Sequence, residues 1–170
     1  GGKSGSRIIK SAEVFDPVTS SFLPTAGSMN RERYRHTATR LANGKVLIAG
    51  GQNLYSINNT AELFDVTEGR GTFRLVPKTM ISPRDGHTAT LLNDGTVLLI
   101  GGIDGWSVTN TTELYLPDAS IFQAAAPMNE ARVFHTATKL TSGKLLIAGG
   151  YNGSYLNTTE IYDPATGQFS

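Results

Sequence analysis

Short, wholly apolar runs recur along the chain, each bracketed by polar residues and glycine: Val46-Leu47-Ile48-Ala49, Val97-Leu98-Leu99-Ile100 and Leu145-Leu146-Ile147-Ala148. A run of this length without polar alternation predicts a strand covered on both faces. Ahead of each lies an alternating Thr-Ala-Thr segment introduced by Arg-x-x-His, at Arg33 to His36, Arg84 to His87 and Arg132 to His135. Between the two segments stand Asn43-Gly44, Asp94-Gly95 and Ser142-Gly143. Such dipeptides accept positive φ and predict a tight antiparallel hairpin. Each hairpin runs into a glycine pair.

The glycine pairs begin at residues 1, 50, 101 and 149, a period near fifty that marks an internal repeat. A polar, glycine-bearing loop follows each pair, then a third strand: Glu13-Val14-Phe15-Asp16, Glu62-Leu63-Phe64-Asp65, Glu113-Leu114-Tyr115-Leu116 and Glu160-Ile161-Tyr162-Asp163. Turns at Val18-Thr19-Ser20, Glu68-Gly69-Arg70-Gly71, Asp118-Ala119-Ser120 and Ala165-Thr166-Gly167 lead to short fourth strands carrying Phe22, Phe73, Phe122 and Phe169. The links back to the next arginine contain Met29, Met80 and Met128.

Gly-Gly, then Glu-x-(Phe/Tyr)-Asp, then an aromatic residue, repeated in register over essentially the whole chain, resembles the kelch repeat of the galactose-oxidase-like propellers. The resemblance implies an all-β fold, a kelch-type β-propeller of four-stranded antiparallel blades with the first strand innermost. Phe stands where kelch repeats often carry Trp in the outer strand, and Leu116 replaces the third-strand Asp in one blade. The expected organisation is a half blade over 1–32, holding third and fourth strands, and blades over 33–79, 84–125 and 132–170. That amounts to fourteen strands, about three and a half blades, whereas closure takes about four to eight. The chain is therefore expected to be part of a larger ring, completed by further blades, with a second copy as the alternative.

Composition is that of an ordinary globular protein, 39% hydrophobic and 17% charged. The net charge of +1 is scattered; Arg70, Arg74 and Lys78 form the one local excess, so no nucleic-acid partner is expected. No apolar run approaches the ~20 residues of a membrane helix, and no membrane insertion is expected. The absence of cysteine rules out disulfides and leaves the compartment open, with an extracellular or cell-surface setting favoured.

Residues shared by every repeat are read as scaffold. Repetition at one position places His36, His87 and His135 one per blade, each with a local hydrogen bond in its own blade, and no metal or other cofactor is expected. Arg33, Arg84 and Arg132 recur alongside Glu13, Glu62, Glu113 and Glu160 and should pair with each other or with backbone groups, within or between blades, because neither charge is tolerable when buried alone. The glycine pairs admit close packing, with Phe15, Phe64, Tyr115 and Tyr162 expected to cover them. They form no phosphate cradle, since neither a helix nor a lysine follows. Asn58, Asn110 and Asn157 head Asn-x-Thr sequences, and Asn152-Gly153-Ser154 has the same pattern; a role in ordering the turn explains the repeated three.

Recognition is expected where the repeats differ. The first strand leaves one face and the second returns to it, so the residues after each arginine and the loops after each glycine pair share that face. The first set offers Tyr34, Arg35, Asp85 and Phe134; the second offers Gln52, Asn53, Tyr55, Asp104, Trp106, Tyr151, Asn152 and Tyr155. Aromatic rings beside amides and charges suit a protein or glycan ligand. A non-catalytic binding module is the leading expectation. The resemblance also admits a carbohydrate-active enzyme converting sialic-acid anomers, for which Asp85 and Asp104 are the available carboxylates, and a structural or adhesion array. Copper-radical oxidase chemistry needs a cysteine that this sequence lacks.

Overall fold

The computed structural model describes residues 1–66 and 70–170, so part of the turn expected at Glu68-Gly69 lies outside the described residues. No α-helix occurs among the described residues. The strands are β1 (Gly2–Ser4), β2 (Arg7–Ile9), β3 (Glu13–Asp16), β4 (Ser21–Pro24), β5 (Thr37–Arg40), β6 (Val46–Ala49), β7 (Ala61–Asp65), β8 (Thr72–Leu75), β9 (Thr88–Leu91), β10 (Val97–Ile100), β11 (Thr112–Leu116), β12 (Ile121–Ala125), β13 (Thr136–Lys139), β14 (Leu145–Ala148), β15 (Thr159–Asp163) and β16 (Gln168–Phe169). Three four-stranded antiparallel sheets, β5 to β8, β9 to β12 and β13 to β16, keep strand order equal to chain order, and β3 pairs with β4 alone. These are blades of a partial, unclosed propeller.

The blades stack through the apolar runs. Along β10 the side chains alternate between neighbours: Val97 and Leu99 join a core with Leu47, Ala49 and Met80 of the preceding blade. Leu98 and Ile100 join another with Leu145, Ile147 and Met128. All four are fully buried, and each such side chain stabilises the fold by roughly 1.5–3 kcal/mol. In β14 only Leu145 and Ile147 are buried; among the described residues no blade covers Leu146 and Ala148.

Four details differ from the sequence reading. First, the loop after Gly1-Gly2 is a three-residue-per-strand hairpin, β1 with β2, so the described residues hold sixteen strands rather than fourteen. Its counterparts shrink to single bridges, Gln52 with Ile57, Ile103 with Val108 and Tyr151 with Tyr155. Secondly, only the glycine of each inner turn takes positive φ, at 84° for Gly44 and 87° for Gly95 and Gly143. The turn spans three residues, closed by Gly44 N–H to Leu41 O at 3.0 Å, while Asn43 Oδ1 accepts from Lys45 N at 3.1 Å. A right-handed turn followed by one left-handed glycine matches strand twist without asking the asparagine to leave its preferred region.

Thirdly, Phe15, Phe64, Tyr115 and Tyr162 do not cover the glycine pairs. Each packs on the fourth-strand phenylalanine directly opposite, with ring centroids 4.7–5.1 Å apart. The glycines instead meet the Arg-x-x-His segments: a Cβ on Gly101 would lie 2.5 Å from Arg132 O, and one on Gly102 2.7 Å from Asp85 O. Finally, two of the three histidines also bond between blades. His87 Nε2 lies 3.0 Å from Thr37 Oγ1 and His135 Nε2 2.9 Å from Thr88 Oγ1, each threonine belonging to the preceding blade.

The arginines are fully buried. Arg33 Nη1 donates to Gly50 O at 2.6 Å and Thr60 O at 3.1 Å, and Nη2 to Thr60 Oγ1 at 3.2 Å and Glu62 Oε1 at 2.9 Å. Arg84 and Arg132 repeat this set on Gly101, Thr111, Glu113 and on Gly149, Thr158, Glu160. The glutamate is completed by main-chain amides just before the arginine, as with Asn30 and Arg31 on Glu62. A planar fork with five donors fits this role, where an ammonium would leave acceptors empty.

Candidate functional site

The residue after each arginine and the residue after each glycine pair meet in antiparallel bridges, Tyr34 with Gln52, Asp85 with Ile103 and Val133 with Tyr151. The two variable sets therefore share one face. Within it the candidates separate into an inner cluster and an outer cleft.

The inner cluster grows from one repeat position, the residue before each histidine. Arg35, Gly86 and Phe134 all adopt left-handed φ, at 55°, 64° and 57°. Such a backbone costs about 1–3 kcal/mol at a non-glycine residue and gathers at functional sites. Gly86 N–H donates to Arg35 O at 3.3 Å and Phe134 N–H to Gly86 O at 3.0 Å, so the three positions form a chain of bonds from blade to blade. The Phe134 ring lies where a side chain on Gly86 would stand, 2.5 Å from an ideal Cβ. The Arg35 guanidinium reaches across, 4.9 Å from the Phe134 centroid and 5.5 Å from that of Tyr34, within range for cation–π attraction. Lys3 Nζ sits 5.9 Å from the same Tyr34 ring.

Arg35 Nη1 also meets Asp85 Oδ2 at 3.4 Å, where Gln52 Nε2 donates at 3.1 Å. Asp85 is 1% exposed and its Oδ1 is buried without a partner. Burial pushes its carboxyl above the usual range, against the pull of Arg35. The sequence placed Tyr34, Arg35, Gln52, Asp85 and Phe134 on one face, and the structure brings these five together. The reach of Arg35 into the next blade was missed. The available signal was Gly86 itself, a missing side chain between two large ones at the same repeat position.

The outer cleft, about 430 Å³, lies between the loops of two neighbouring blades and is lined by Gln52, Asn53, Tyr55, Pro83, Asp104 and Trp106 among others. Trp106 is 97% and Tyr55 88% exposed, so neither packs against its blade. Asn53 and Asp104 shape the loops: Asn53 Oδ1 accepts from Tyr55 N and Ser56 N, and Asp104 Oδ1 from Trp106 N and Ser107 N, all within 2.8–3.1 Å. Tyr151 and Tyr155 stand apart as an edge-on pair, centroids 5.6 Å apart, and Asn152 Nδ2 donates to Glu130 Oε1 at 3.3 Å. A depression of about 350 Å³ on the opposite face is built from the inner turns at Asn43 and Gly95 and from Pro117, and holds no aromatic side chain. Among the described residues no group of three or more histidines and carboxylates is placed to hold a metal ion.

The family description "Kelch motif" matches residues 140–170, the second to fourth strands of the last blade with the turn before them. Over 140 residues the chain is 29% identical to Adagio-like protein 1 of Oryza sativa subsp. japonica; the match takes in 70% of this chain and 22% of that protein. The chain thus spans about a fifth of the length of this curated relative. With four-stranded blades in chain order, the chain is similar to kelch-repeat proteins over the matched repeats.

Proposed function

We propose that the chain is a binding module for another protein, engaged through the loop face, and that it performs no chemistry of its own. The observation that carries this reading is the outer cleft: two nearly fully exposed aromatic rings at equivalent positions of adjacent blades, with amide and carboxylate groups between them. Rigid aromatics give contact area at small entropic cost and are enriched at protein interfaces. Kelch repeats commonly mediate protein interaction, which agrees. Both candidate acid–base groups are committed elsewhere, Asp85 behind Arg35 and Gln52 and Asp104 in its own loop, and this favours binding over turnover.

A photo-crosslinking residue at position 55 or 106 is expected to capture a discrete partner protein, with capture lost on Arg35→Ala or on alanine at the other aromatic. A control probe at Val18, exposed on an outer turn, should capture nothing comparable. Equal capture from both positions would remove the loop face from consideration. The same rings also suit the face of a sugar, and because Trp106 is the single tryptophan its fluorescence reports directly. A saturable shift with a neutral oligosaccharide would replace the protein ligand by a glycan.

A further inference from the structure

Asparagine followed by glycine occurs twice, at Asn43-Gly44 and at Asn152-Gly153, and the fold treats the two pairs differently. A glycine leaves its own main-chain nitrogen without a Cβ beside it, so that nitrogen can approach the preceding side-chain amide carbon closely. Both asparagines are exposed, and exposure alone does not separate them. What separates them is how firmly the two groups are held.

In the inner turn both are tied. Gly44 N–H donates to Leu41 O at 3.0 Å, and Asn43 Oδ1 accepts from Lys45 N at 3.1 Å. The ladder of β5 with β6, from Thr37 opposite Ala49 to Arg40 opposite Val46, clamps the turn from both sides. At the loop tip of the last blade neither is tied. Gly153 N–H meets no acceptor among the described residues, and no N–H reaches Asn152 Oδ1. Asn53 Oδ1 and Asp104 Oδ1, at the same place in their own loops, each accept two. The Asn152 side chain instead makes one surface bond, from Nδ2 to Glu130 Oε1 at 3.3 Å. Gly153 has φ of 114° and open space around the site of a Cβ. Tyr55 and Trp106, at the corresponding tips, stay almost fully exposed with a following blade alongside, so exposure at a tip does not hinge on which blade stands next to it.

We infer that Asn152-Gly153 is a site of self-modification, where the asparagine converts to aspartate and isoaspartate while Asn43 is spared. Gly153 N gives up its proton to hydroxide and attacks Asn152 Cγ; the new N–Cγ bond forms as the Cγ–Nδ2 bond breaks, and Nδ2 leaves as ammonia after taking a proton from water. Water then opens the resulting five-membered imide. Addition at Cγ yields aspartate, and addition at the main-chain carbonyl yields isoaspartate; nothing is oxidised or reduced. The product carboxylate faces Glu130 where an amide donated before, so repulsion replaces a hydrogen bond. Isoaspartate also adds a backbone carbon to the three residues between the bridged Tyr151 and Tyr155. The loop face thus gains charge and changes shape in one blade with age and without an enzyme. This inference uses neither Tyr55 nor Trp106, so it and the loop-face binding reading can fail separately.

The test is to age the folded 170-residue protein in mildly alkaline buffer made with heavy-oxygen water, then to follow both asparagines by peptide mass mapping. Heavy oxygen should enter at position 152 at least tenfold faster than at position 43, because the clamped turn must open before it can react. In denaturing urea the two sites should convert at similar rates. Comparable rates in the folded protein would overturn the inference, as would a preference for Asn152 that persists in urea. So would a folded sample with no labelled product at position 152 after the urea sample has converted at both.

Discussion

At the residue scale, the buried arginine and the exposed tryptophan set the two extremes. Arg84 satisfies two carbonyls, a hydroxyl and a carboxylate from a fully buried position. Arg84→Ala leaves Glu113 buried and unpaired and is expected to cost about 3–5 kcal/mol in urea unfolding. Arg84→Lys should also cost more than about 1 kcal/mol, because an ammonium cannot span the same acceptors. Retention of wild-type stability in the lysine variant would show that charge alone suffices. Trp106→Ala, by contrast, should change stability by less than about 0.5 kcal/mol, since its ring touches solvent rather than core. A larger loss would make Trp106 a packing residue and take it out of the proposed binding face.

At the element scale, the glycines divide by what stands opposite them. Gly95 in the inner turn has φ of 87° and open space where a Cβ would go. Gly95→Ala is therefore expected to cost only the left-handed penalty, about 1–2 kcal/mol. Gly101 has φ of 60° and also the Arg132 carbonyl 2.5 Å from that Cβ, so Gly101→Ala must push two blades apart. Its cost should exceed that of Gly95→Ala by at least about 2 kcal/mol, read from thermal or urea midpoints. Equal costs would mean that the blade seam yields. This contrast also marks how far the sequence carried. Residues whose job is within one strand or turn were legible: the runs buried on both faces, the turn glycines, the arginine–glutamate pairs. Contacts across the seam were not, because period and spacing describe one repeat while His87 bonding to Thr37 and Phe134 covering Gly86 involve two. The hairpin at Gly2–Ser4 with Arg7–Ile9 was missed for another reason, its strands being only three residues long, too short to show any alternation. Of the candidate site, the shared face was legible from strand direction; the separation into a charged inner cluster and an aromatic outer cleft depended on which way long side chains turn.

At the scale of the whole molecule, the seams make the assembly sensitive to acid. Burial, with the neighbouring arginine second, pushes His87 down to about 3, and burial pushes His36 and His135 down to about 4, against 6.5 when unfolded. The folded protein therefore holds three neutral imidazoles at a pH where the unfolded chain would protonate them. Their contribution is fully present above pH 6.5 and is lost as pH falls toward 4 and then 3, at up to about 1.4 kcal/mol per pH unit for each site. Glu62 adds to the same trend lower down. Burial alone would raise it, yet the amides of Asn30 and Arg31 and the Arg33 guanidinium hold it below its ordinary value, so its share is lost as pH falls below about 4.5. Urea unfolding at pH 7.5 and pH 5 should show markedly lower stability at the acid value, and His87→Asn should shrink that difference while lowering stability at both. Equal unfolding free energies at the two pH values would show that the imidazoles are already charged in the folded state. Because two of the three bridge adjacent blades, protonation loosens the joints between blades before the hydrogen-bonded ladders inside them, and near-ultraviolet circular dichroism should fall at a higher pH than the far-ultraviolet β signal.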